Sequence, residues 1–317
     1  MTSIHDRIFP DGNLRFFCLL VLQRRSLNGS VLIYLCYDGG MLIDGKAIAK
    51  EIEVRLTNIC ATFLVKPTLA IVLVGDDPVI ESFVRIKKMV GARIGVSVVE
   101  HRFPKEVSGE ELIRAISLLS ADDAVNGIII QLPLPTTIDV QAVLNAVPLS
   151  KDVDVLASDS VAAFRQGSAK VLPPVAGAIQ EILECAHVDV SGKEALVLGH
   201  GRLVGAPAAL LLRHNNAHVT VIDKPVTDLV THVCESDIVI TGVGSPGMIT
   251  PQMLREGAVL IDAGTSEAGG KIVGDADPRC ADVASVFTPV PGGVGPLTVV
   301  MLFKNLLALT RAGEGIV

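Results

Sequence analysis

A glycine-rich turn is the clearest chemical pattern in the sequence. Gly199, Gly201 and Gly205 lie between an apolar segment typical of a strand and a segment typical of a helix. Glycines at such a turn let the backbone approach a pyrophosphate, which the N-terminus of the following helix can bind. The spacing is one residue longer than in the usual dinucleotide fingerprint. A glycine turn that binds no ligand is therefore the alternative.

An acidic residue at the end of the next predicted strand bears on the choice of cofactor. Asp223 lies about 20 residues beyond the turn, where a carboxylate can hydrogen-bond both ribose hydroxyls of NAD and repel the extra phosphate of NADP. His200 and Arg202 lie within the turn, and Arg202 could reach a phosphate, which would weaken a preference for NAD. The alternative is that Asp223 is a solvated loop residue.

A lysine, a glutamine and an aspartate form a second candidate cluster. Lys87 lies on a predicted helix, Gln131 at a strand end, and Asp154 at the end of Lys151-Asp-Val-Asp154. A lysine that is partly removed from water has a lowered pKa and can exchange protons near neutral pH. Spacing alone favours surface positions for all three, and Lys88 beside Lys87 is typical of a solvated helix face.

Two more loops rich in glycine and proline follow predicted strands. The segment Pro289–Pro296 has bare backbone that a flat ligand could approach, held rigid by its prolines. The segment Gly242–Gly247 is a similar loop at another strand end. A purely structural turn is the alternative for such loops.

Charge and composition exclude several classes of protein. The 317 residues carry 27 basic and 34 acidic side chains, a net charge of -7, which is not the basic footprint of a nucleic-acid-binding protein. The 6 cysteines show neither metal-ligand nor disulfide spacing, so we expect free thiols in a reducing cytoplasm and no metal. Polar residues interrupt the apolar stretch 16–36, so we expect no transmembrane helix. A small-molecule site fits these features best.

Helices and strands alternate along the chain and must position these residues. The first half predicts a helix that ends near 64, strand 68–74, helix 80–94, strand 97–102, helix 109–121, strand 127–131 and a short helix 139–145. The second half predicts helix 175–186, strands at 194–198, 218–222, 238–241 and 258–262, helix 205–214 and a last helix 298–311. Segment 147–174 is predicted to be irregular. This order predicts two α/β domains, the second a Rossmann-type doubly wound parallel sheet.

Composition also indicates where the domains begin. The first 40 residues hold both tyrosines and look foreign to the rest of the chain, so we predict that residues 1–40 are a dispensable extension. Residues 41–157 are predicted to form a catalytic α/β domain, which a C-terminal helix at 297–317 completes. Residues 158–296 are predicted to form the dinucleotide-binding domain, with a hinge near 155–175.

Together these residues resemble the bifunctional methylenetetrahydrofolate dehydrogenase/cyclohydrolase family. The resemblance spans residues 41 to about 312, with the motifs in the right order. Its most specific pieces are Gln131-Leu-Pro-Leu-Pro135 and Pro289-Val-Pro-Gly-Gly-Val-Gly-Pro296. The other segments that carry it are Val74-Gly-Asp-Asp-Pro78, Phe83-Val-Arg-Ile-Lys87, Lys151-Asp-Val-Asp154 and Leu203-Val-Gly-Ala-Pro207.

The resemblance implies an activity and a role for each residue of the second cluster. The family oxidises 5,10-methylenetetrahydrofolate to the methenyl form with NAD or NADP and hydrolyses that form to 10-formyltetrahydrofolate, within one-carbon metabolism. Lys87 would be the catalytic lysine, Gln131 the residue that orients it and tunes its pKa, and Asp154 the anchor for the pterin ring. The resemblance also implies two α/β domains around a cleft and a homodimer joined through the second domain. Charge and composition, as described above, predict a cytoplasmic protein with no nucleic acid and no membrane as partner.

The resemblance further implies two sets of binding residues. The substrate would lie against Phe83, Pro291, Gly292 and Gly293. The residues expected to bind the cofactor are Gly199, His200, Gly201, Arg202, Val204, Gly205, Asp223, Gly242, Val243, Gly244 and Thr265.

Several positions depart from the family pattern on the substrate side. Phe83 stands where the family usually has a tyrosine, which keeps a ring face but loses a hydroxyl. Ile80 replaces a usual serine, Ile86 a usual serine or asparagine, and Val155 a usual glycine. The segment Pro173-Pro-Val-Ala176 replaces Pro-Cys-Thr-Pro and removes polar groups. These departures bear on substrate affinity and the cyclohydrolase rate more than on the fold.

The cofactor side departs as well. His200 and Gly201 replace the common arginine and serine, and Asp223 replaces a usual histidine. The chain loses two groups that would hold the 2′-phosphate and gains an acid, so we predict NAD over NADP. Three alternatives stay open: a dehydrogenase with little cyclohydrolase activity, a non-catalytic dinucleotide-binding paralogue, and another small-substrate dehydrogenase of similar plan. The last would not explain Lys87, Gln131 and the Pro-Gly-Gly loop together.

Overall fold

The computed structural model describes residues 22–23, 32–33, 35–37 and 40–313. They form two α/β domains with a cleft between them, which confirms the predicted fold class. The predictions for the rest of residues 1–40, and for 314–317 at the end of the last helix, fall outside the described residues. So does most of the apolar stretch 16–36.

The first domain is built on a three-stranded parallel sheet with strand order β6-β5-β7. The central strand β5 is buried on both faces, as parallel strands under helices are. Residues 69, 71 and 73 join one hydrophobic cluster and residues 70, 72 and 74 the other. The strands are β5 Thr68–Val74, β6 Ser97–Phe103 and β7 Gly127–Ile130. The helices are α1 Gly45–Cys60, α2 Pro78–Ile94, α3 Gly109–Ala121 and α4 Val140–Leu144.

The second domain is built on a seven-stranded sheet with strand order β3-β4-β14-β11-β10-β8-β9. All its neighbouring strands are parallel except β3 and β4. The strands are β3 Leu35–Tyr37, β4 Gly40–Leu42, β8 Glu194–Leu198, β9 His218–Ile222, β10 Ile238–Thr241, β11 Val259–Asp262 and β14 Val286–Phe287. Its helices are α7 Gly205–His214 and α8 Leu229–Glu235. The chain runs from β8 to β9 on one side and then to β10 on the other, so the doubly wound switch point lies between β8 and β10.

Two long helices connect the domains. Helix α6 Pro174–Cys185 and the last helix α9 Val294–Gly313 pack against each other, and α9 also packs against α1 and α2. By length and apolar composition α9 is the one helix of the described residues that could cross a membrane. Most of its apolar stretch is buried inside the protein, as in a core helix.

The structure corrects one element prediction and adds others. Segment 147–174 is not irregular throughout, because α5 Ser158–Arg165 lies inside it. This helix has no side-chain N-cap, so its sequence signal is weak, and tertiary packing of Phe164 edge-on against His214 stabilises it instead. A hairpin of β12 Ser266–Ala268 and β13 Lys271–Val273 was also missed, although its Gly-Gly turn is a recognisable hairpin signal. A further hairpin pairs β1 Leu22–Gln23 with β2 Leu32–Ile33.

The first strand of the body belongs to the large sheet. Although the first domain was predicted to begin at residue 41, Met41 and Leu42 pair with Val286 and Phe287 of β14. On its other side β4 pairs with β3 over three residues. The described part of the extension therefore covers one edge of the sheet.

We expect a chain that begins at Met41 to keep its fold and turnover. It retains the parallel pairing of β4 with β14 and keeps every residue that lines the cleft among the described residues. A chain that begins at Gly45 is the matched comparison, because it also lacks β4 and Asp44. The Asp44 side chain caps α1 by accepting from the Lys46 and Ala47 amides at 3.0 Å, and loss of such a cap costs about 1 kcal/mol. Thermal unfolding of the two truncated chains measures this difference. Aggregation of the Met41 form would contradict the expectation.

Candidate active site

The predicted site residues meet in a large cleft between the two domains. Its cavity has a volume of about 1220 Å³, enough for a substrate together with part of a cofactor. The predicted residues that line it are Phe83, Lys87, Gln131, Asp154, Arg202, Val204, Thr265, Pro291, Gly292 and Gly293. Residues of the first domain, of the second domain and of the last helix therefore face one space.

A short hydrogen bond joins the predicted catalytic pair. Lys87 Nζ on α2 donates to Gln131 Oε1 at 2.5 Å. Gln131 directly follows β7, and its own amide group donates to the Leu132 carbonyl at 2.9 Å, which turns Oε1 towards the lysine. The position of the lysine amine is therefore fixed by the helix that carries it and by the side chain at the end of β7 that accepts its hydrogen bond.

Burial sets the protonation of the lysine and of a nearby aspartate. It lowers the pKa of the Lys87 amine, against the opposing effect of the Asp154 charge. It also raises the pKa of the Asp154 carboxyl group to about 6, where the Lys87 charge opposes the shift and Asp152 adds to it. Because burial favours the neutral form of the amine, Lys87 gives up its proton more readily than an exposed lysine does and is suited to accept and return a proton.

The segment that carries Asp154 is held by buried polar groups. The Asp152 carboxylate accepts from the Leu156 and Ala157 amides at 3.0 and 2.9 Å. Val155, which stands where the resembling family has glycine, adopts a φ of 57°. This left-handed conformation is strained for a β-branched side chain, so the surrounding contacts must hold it in place.

The wall of the cleft beside Lys87 is apolar. Phe83 lies one helical turn before the lysine and is 46% exposed, so its ring is open to a ligand. Ile80, Ile86 and Val90 line the same wall. Such a surface suits a flat aromatic ligand but gives it no hydroxyl group to bond.

The Pro-Gly-Gly loop rests directly on the start of α1. A Cβ atom at Gly45 would lie 1.8 Å from the Gly293 carbonyl oxygen, so only glycine fits there. Gly292 has a φ of 114°, and the Gly293 amide donates to the Pro289 carbonyl at 2.7 Å. These close contacts hold the bare backbone of the loop at the cleft.

The predicted cofactor turn lies at the switch point of the large sheet. A Cβ atom at Gly205 would lie 2.0 Å from the Gly199 carbonyl oxygen, and one at Gly242 would lie 2.4 Å from Val204. The loops after β8 and β10 therefore touch each other at the carboxyl ends of their strands, where dinucleotides bind in doubly wound sheets. This tight glycine cradle at the N-terminus of α7 fits a pyrophosphate.

The residues proposed to choose the cofactor lie at the rim of this crevice. Asp223 directly follows Ile222, whose carbonyl accepts the Gly199 amide at 2.7 Å. Asp223, His200 and Gly201 are all exposed. Arg202 reaches across to the first domain, where its Nη1 donates to Gln141 Oε1 at 3.4 Å. Gly199, His200, Gly201, Gly205, Asp223, Gly242, Val243 and Gly244 lie outside the lining of the large cavity.

Two buried aspartates beneath these loops were missed. Asp262 ends β11 and lines the cleft, and Asp275 lies in the Gly-Asp-Ala-Asp segment after β13. Both are almost fully buried and accept several hydrogen bonds. An acid at the end of an apolar strand and another after a glycine were the available sequence signals. In the described residues no group of three or more His, Cys, Asp or Glu could hold a metal ion.

Comparison with known proteins matches both domains separately. Residues 43–154 match the model of the tetrahydrofolate dehydrogenase/cyclohydrolase catalytic domain, and residues 173–313 match the NAD(P)-binding domain of the same family. The bifunctional protein FolD of Dechloromonas aromatica is 38% identical over 281 residues, which cover 87% of this chain and 99% of that protein.

Solved structures agree with these matches. The bifunctional FolD enzyme of Campylobacter jejuni is 32% identical with a TM-score of 0.83, covering 86% of this chain and 99% of that one. The Trypanosoma brucei enzyme, solved with NADP and an inhibitor, is 34% identical with a TM-score of 0.82, covering 87% of this chain and 98% of that one.

The fold and the cleft define a two-domain enzyme that binds a dinucleotide in one domain and presents a half-buried lysine from the other. Both domains are present over nearly their full length in the relatives and in this chain. The chain belongs to the tetrahydrofolate dehydrogenase/cyclohydrolase family. Its second domain is the NAD(P)-binding domain of that family.

Proposed function

We propose that this cleft oxidises 5,10-methylenetetrahydrofolate with a nicotinamide dinucleotide and then hydrolyses the methenyl product to 10-formyltetrahydrofolate. The observation that carries the proposal is the Lys87–Gln131 hydrogen bond within a cavity that both domains line. When bound, the dinucleotide supplies the hydride acceptor. The chain then has to bring the folate methylene carbon and the cofactor together, which is a task of positioning.

The substrate side of the cleft supplies that positioning. Asp154 can hydrogen-bond the pterin ring, and the Phe83 ring can stack on a flat part of the folate. The bare backbone of Gly292 and Gly293 lets the substrate approach closely. The residues of the loops after β8, β10 and β11 hold the dinucleotide at the second domain.

The hydrolysis needs proton transfer, which Lys87 can perform. Water attacks the carbon of the methenyl cation, and the neutral amine of Lys87 takes one proton from that water. The bond between this carbon and N5 of the pterin then breaks and N5 takes up a proton, while the hydroxyl group on the carbon loses its remaining proton and becomes the carbonyl of the 10-formyl group. Gln131 keeps the amine aimed at this position because its amide oxygen accepts from Nζ.

Absorbance of the methenyl species tests both steps. The purified protein is mixed with methylenetetrahydrofolate and NAD or NADP, and the methenyl band is followed as it rises and decays. Oxidation without subsequent hydrolysis would select the alternative of a dehydrogenase with little cyclohydrolase activity. The apolar residues Ile80, Phe83 and Ile86 near the lysine favour that alternative, because they offer no polar group to water. A bound dinucleotide with no turnover would select the non-catalytic paralogue.

We further propose that the enzyme prefers NAD. Asp223 follows the strand next to the glycine turn, where a carboxylate can accept from both ribose hydroxyls and repel a 2′-phosphate. We expect a higher kcat/KM with NAD than with NADP. We expect Asp223→Ser to raise the KM for NAD about 10- to 100-fold, since a hydrogen bond to a charged group contributes about 1.5–3 kcal/mol.

The matched control is Asp228→Ser, which removes another exposed acid after the same strand. Asp228 pairs with His232 at 3.4 Å rather than facing the glycine turn, so its loss should leave both KM values unchanged. A clear preference of the unaltered enzyme for NADP would overturn the proposal.

The oligomer and the compartment are proposals as well. The edge strand β9 pairs only with β8 within the described chain, and it is the part of the second domain we propose for a homodimer contact. Sedimentation of the purified protein measures the assembly. Among the described residues, Cys60, Cys234 and Cys280 are free thiols, which supports a reducing cytoplasm as its location.

A further inference from the structure

A buried carboxylate lies beneath the loop that follows β10. Asp275 is fully buried, and no step of the proposed chemistry uses it. A charge in such a position costs several kcal/mol unless hydrogen bonds satisfy it. Its partners therefore show what it stabilises.

Three hydrogen bonds tie this carboxylate to one strand end and one loop. Oδ2 accepts from the Thr241 hydroxyl at 2.8 Å and from the Val243 amide at 2.8 Å, while Oδ1 accepts from the Ser245 amide at 2.6 Å. Thr241 ends β10, and the two amides belong to the loop Gly242–Gly247. Both oxygens are thus occupied by groups that shape this loop.

The same carboxylate supports the loop that follows β11. A Cβ atom at Gly264 would lie 2.3 Å from Asp275 Cγ, so the backbone there rests directly on the carboxyl group. The neighbouring acid Asp262 accepts from the Gly264 amide at 2.9 Å and the Ala276 amide at 2.8 Å. Two loops at the carboxyl end of the sheet are therefore built around Asp275.

The loop after β10 is one wall of the dinucleotide crevice. Gly199, in the glycine turn, would place a Cβ atom 3.0 Å from Val243 Cγ1 and 3.3 Å from the Gly242 carbonyl oxygen. A shift of the Val243 amide would therefore change the space beside the glycine turn, even though Asp275 itself is too deeply buried to touch a ligand.

We propose that Asp275 is a positioning residue for the dinucleotide, which holds the loop Gly242–Gly247 in the shape that accepts the cofactor. The inference rests on the proposed cofactor site at the switch point. It assigns to Asp275 no contact with the folate and no part in the hydrolysis. Loss of the carboxylate should consequently weaken the binding of the dinucleotide and leave folate binding and hydrolysis unchanged.

The test is Asp275→Asn. An asparagine has one acceptor oxygen, so its amide group must face either the Val243 amide or the Ser245 amide, and one loop N–H loses its acceptor. We expect the dissociation constant and KM for the dinucleotide to rise about 10- to 100-fold, since each hydrogen bond to a charged group contributes about 1.5–3 kcal/mol. Hydrolysis of methenyltetrahydrofolate without dinucleotide should stay within about twofold, which also reports that the variant is folded.

Two further variants make the test graded. Thr241→Val removes one donor and keeps both loop amides bound, so the KM for the dinucleotide should rise only a few-fold; it decides the question if Asp275→Asn fails to fold. Asp277→Asn is the matched control, because its carboxylate binds Arg279 instead of the loop and should leave the KM unchanged.

The outcomes separate this inference from the proposed function. If the unaltered enzyme binds neither NAD nor NADP, the proposed cofactor site is wrong. If it binds one of them and Asp275→Asn binds it equally well, only the positioning role is wrong. An equal loss of dehydrogenase and cyclohydrolase activity in a folded Asp275→Asn variant would also overturn it, because that pattern is expected of a general structural residue.

Discussion

Replacement of Lys87 by methionine is expected to abolish most of the hydrolysis of methenyltetrahydrofolate. General acid–base catalysis by a positioned side chain raises a reaction rate about 10²- to 10⁴-fold. Methionine is about as long as the lysine side chain but has no proton to exchange. We therefore expect the rate to fall by about that factor. Folate affinity should fall less, because Phe83, Asp154 and the Pro-Gly-Gly loop stay in place.

Lys88→Met is the matched control for this variant. Lys88 is the next residue on the same helix, but its amine is exposed and binds Glu100 at 2.6 Å. Its replacement should leave both activities unchanged. The rates are measured from the decay of methenyl absorbance. Folate affinity is measured by titrating the protein with a folate analogue. Unchanged hydrolysis in Lys87→Met would show that the lysine is misassigned.

Replacement of Asp154 by asparagine is expected to weaken substrate binding and to change the pH profile. Loss of a hydrogen bond that a charged carboxylate accepts should raise the KM for the folate about 10- to 100-fold. In the unaltered enzyme the carboxyl group has a pKa of about 6, so the KM should rise as the pH falls through about 6 and the carboxylate takes up a proton. This pH dependence should disappear in Asp154→Asn.

The second effect of Asp154→Asn falls on the lysine. The Asp154 charge raises the pKa of Lys87 against the effect of burial, so its removal lowers that pKa further. More neutral amine is then present at low pH, and the acidic limb of the cyclohydrolase profile should move to lower pH. Asp159→Asn, an exposed acid on α5, is the control and should move neither the KM nor the profile. An unshifted acidic limb in Asp154→Asn would contradict the electrostatic coupling.

Much of the fold could be predicted because its signals are local. The apolar run of β5 and the capping box of α3, in which the Ser108 and Glu111 side chains each bond the other's backbone amide, depend on neighbouring residues alone. The strand of two residues at Val286–Phe287 and the helix α5 have little local signal. They form because distant residues supply their pairing and packing.

The candidate site divides in the same way. The glycines of the cofactor turn could be predicted from the sequence, because their spacing is a local signal of a turn whose backbone can approach a pyrophosphate closely. The sequence also indicated Lys87, Gln131 and Asp154 as candidates, although their individual roles followed only from the family resemblance. Asp275 gave no comparable pattern, because its three partners lie 30, 32 and 34 residues before it along the chain.

By itself, the sequence determined the α/β class, the two domains and the residue types at the cleft, because composition, periodicity and motif spacing are properties of neighbouring residues. Only the tertiary structure decided what those residues can do. Lys87 has a lowered pKa because folding removes its amine from water, an effect that the nearby Asp154 charge only partly opposes, and folding also places the amine within hydrogen-bonding distance of Gln131. Burial and the distances between charges are fixed only once the chain has folded. They make a lysine whose position in the sequence is unremarkable into a group suited to proton transfer.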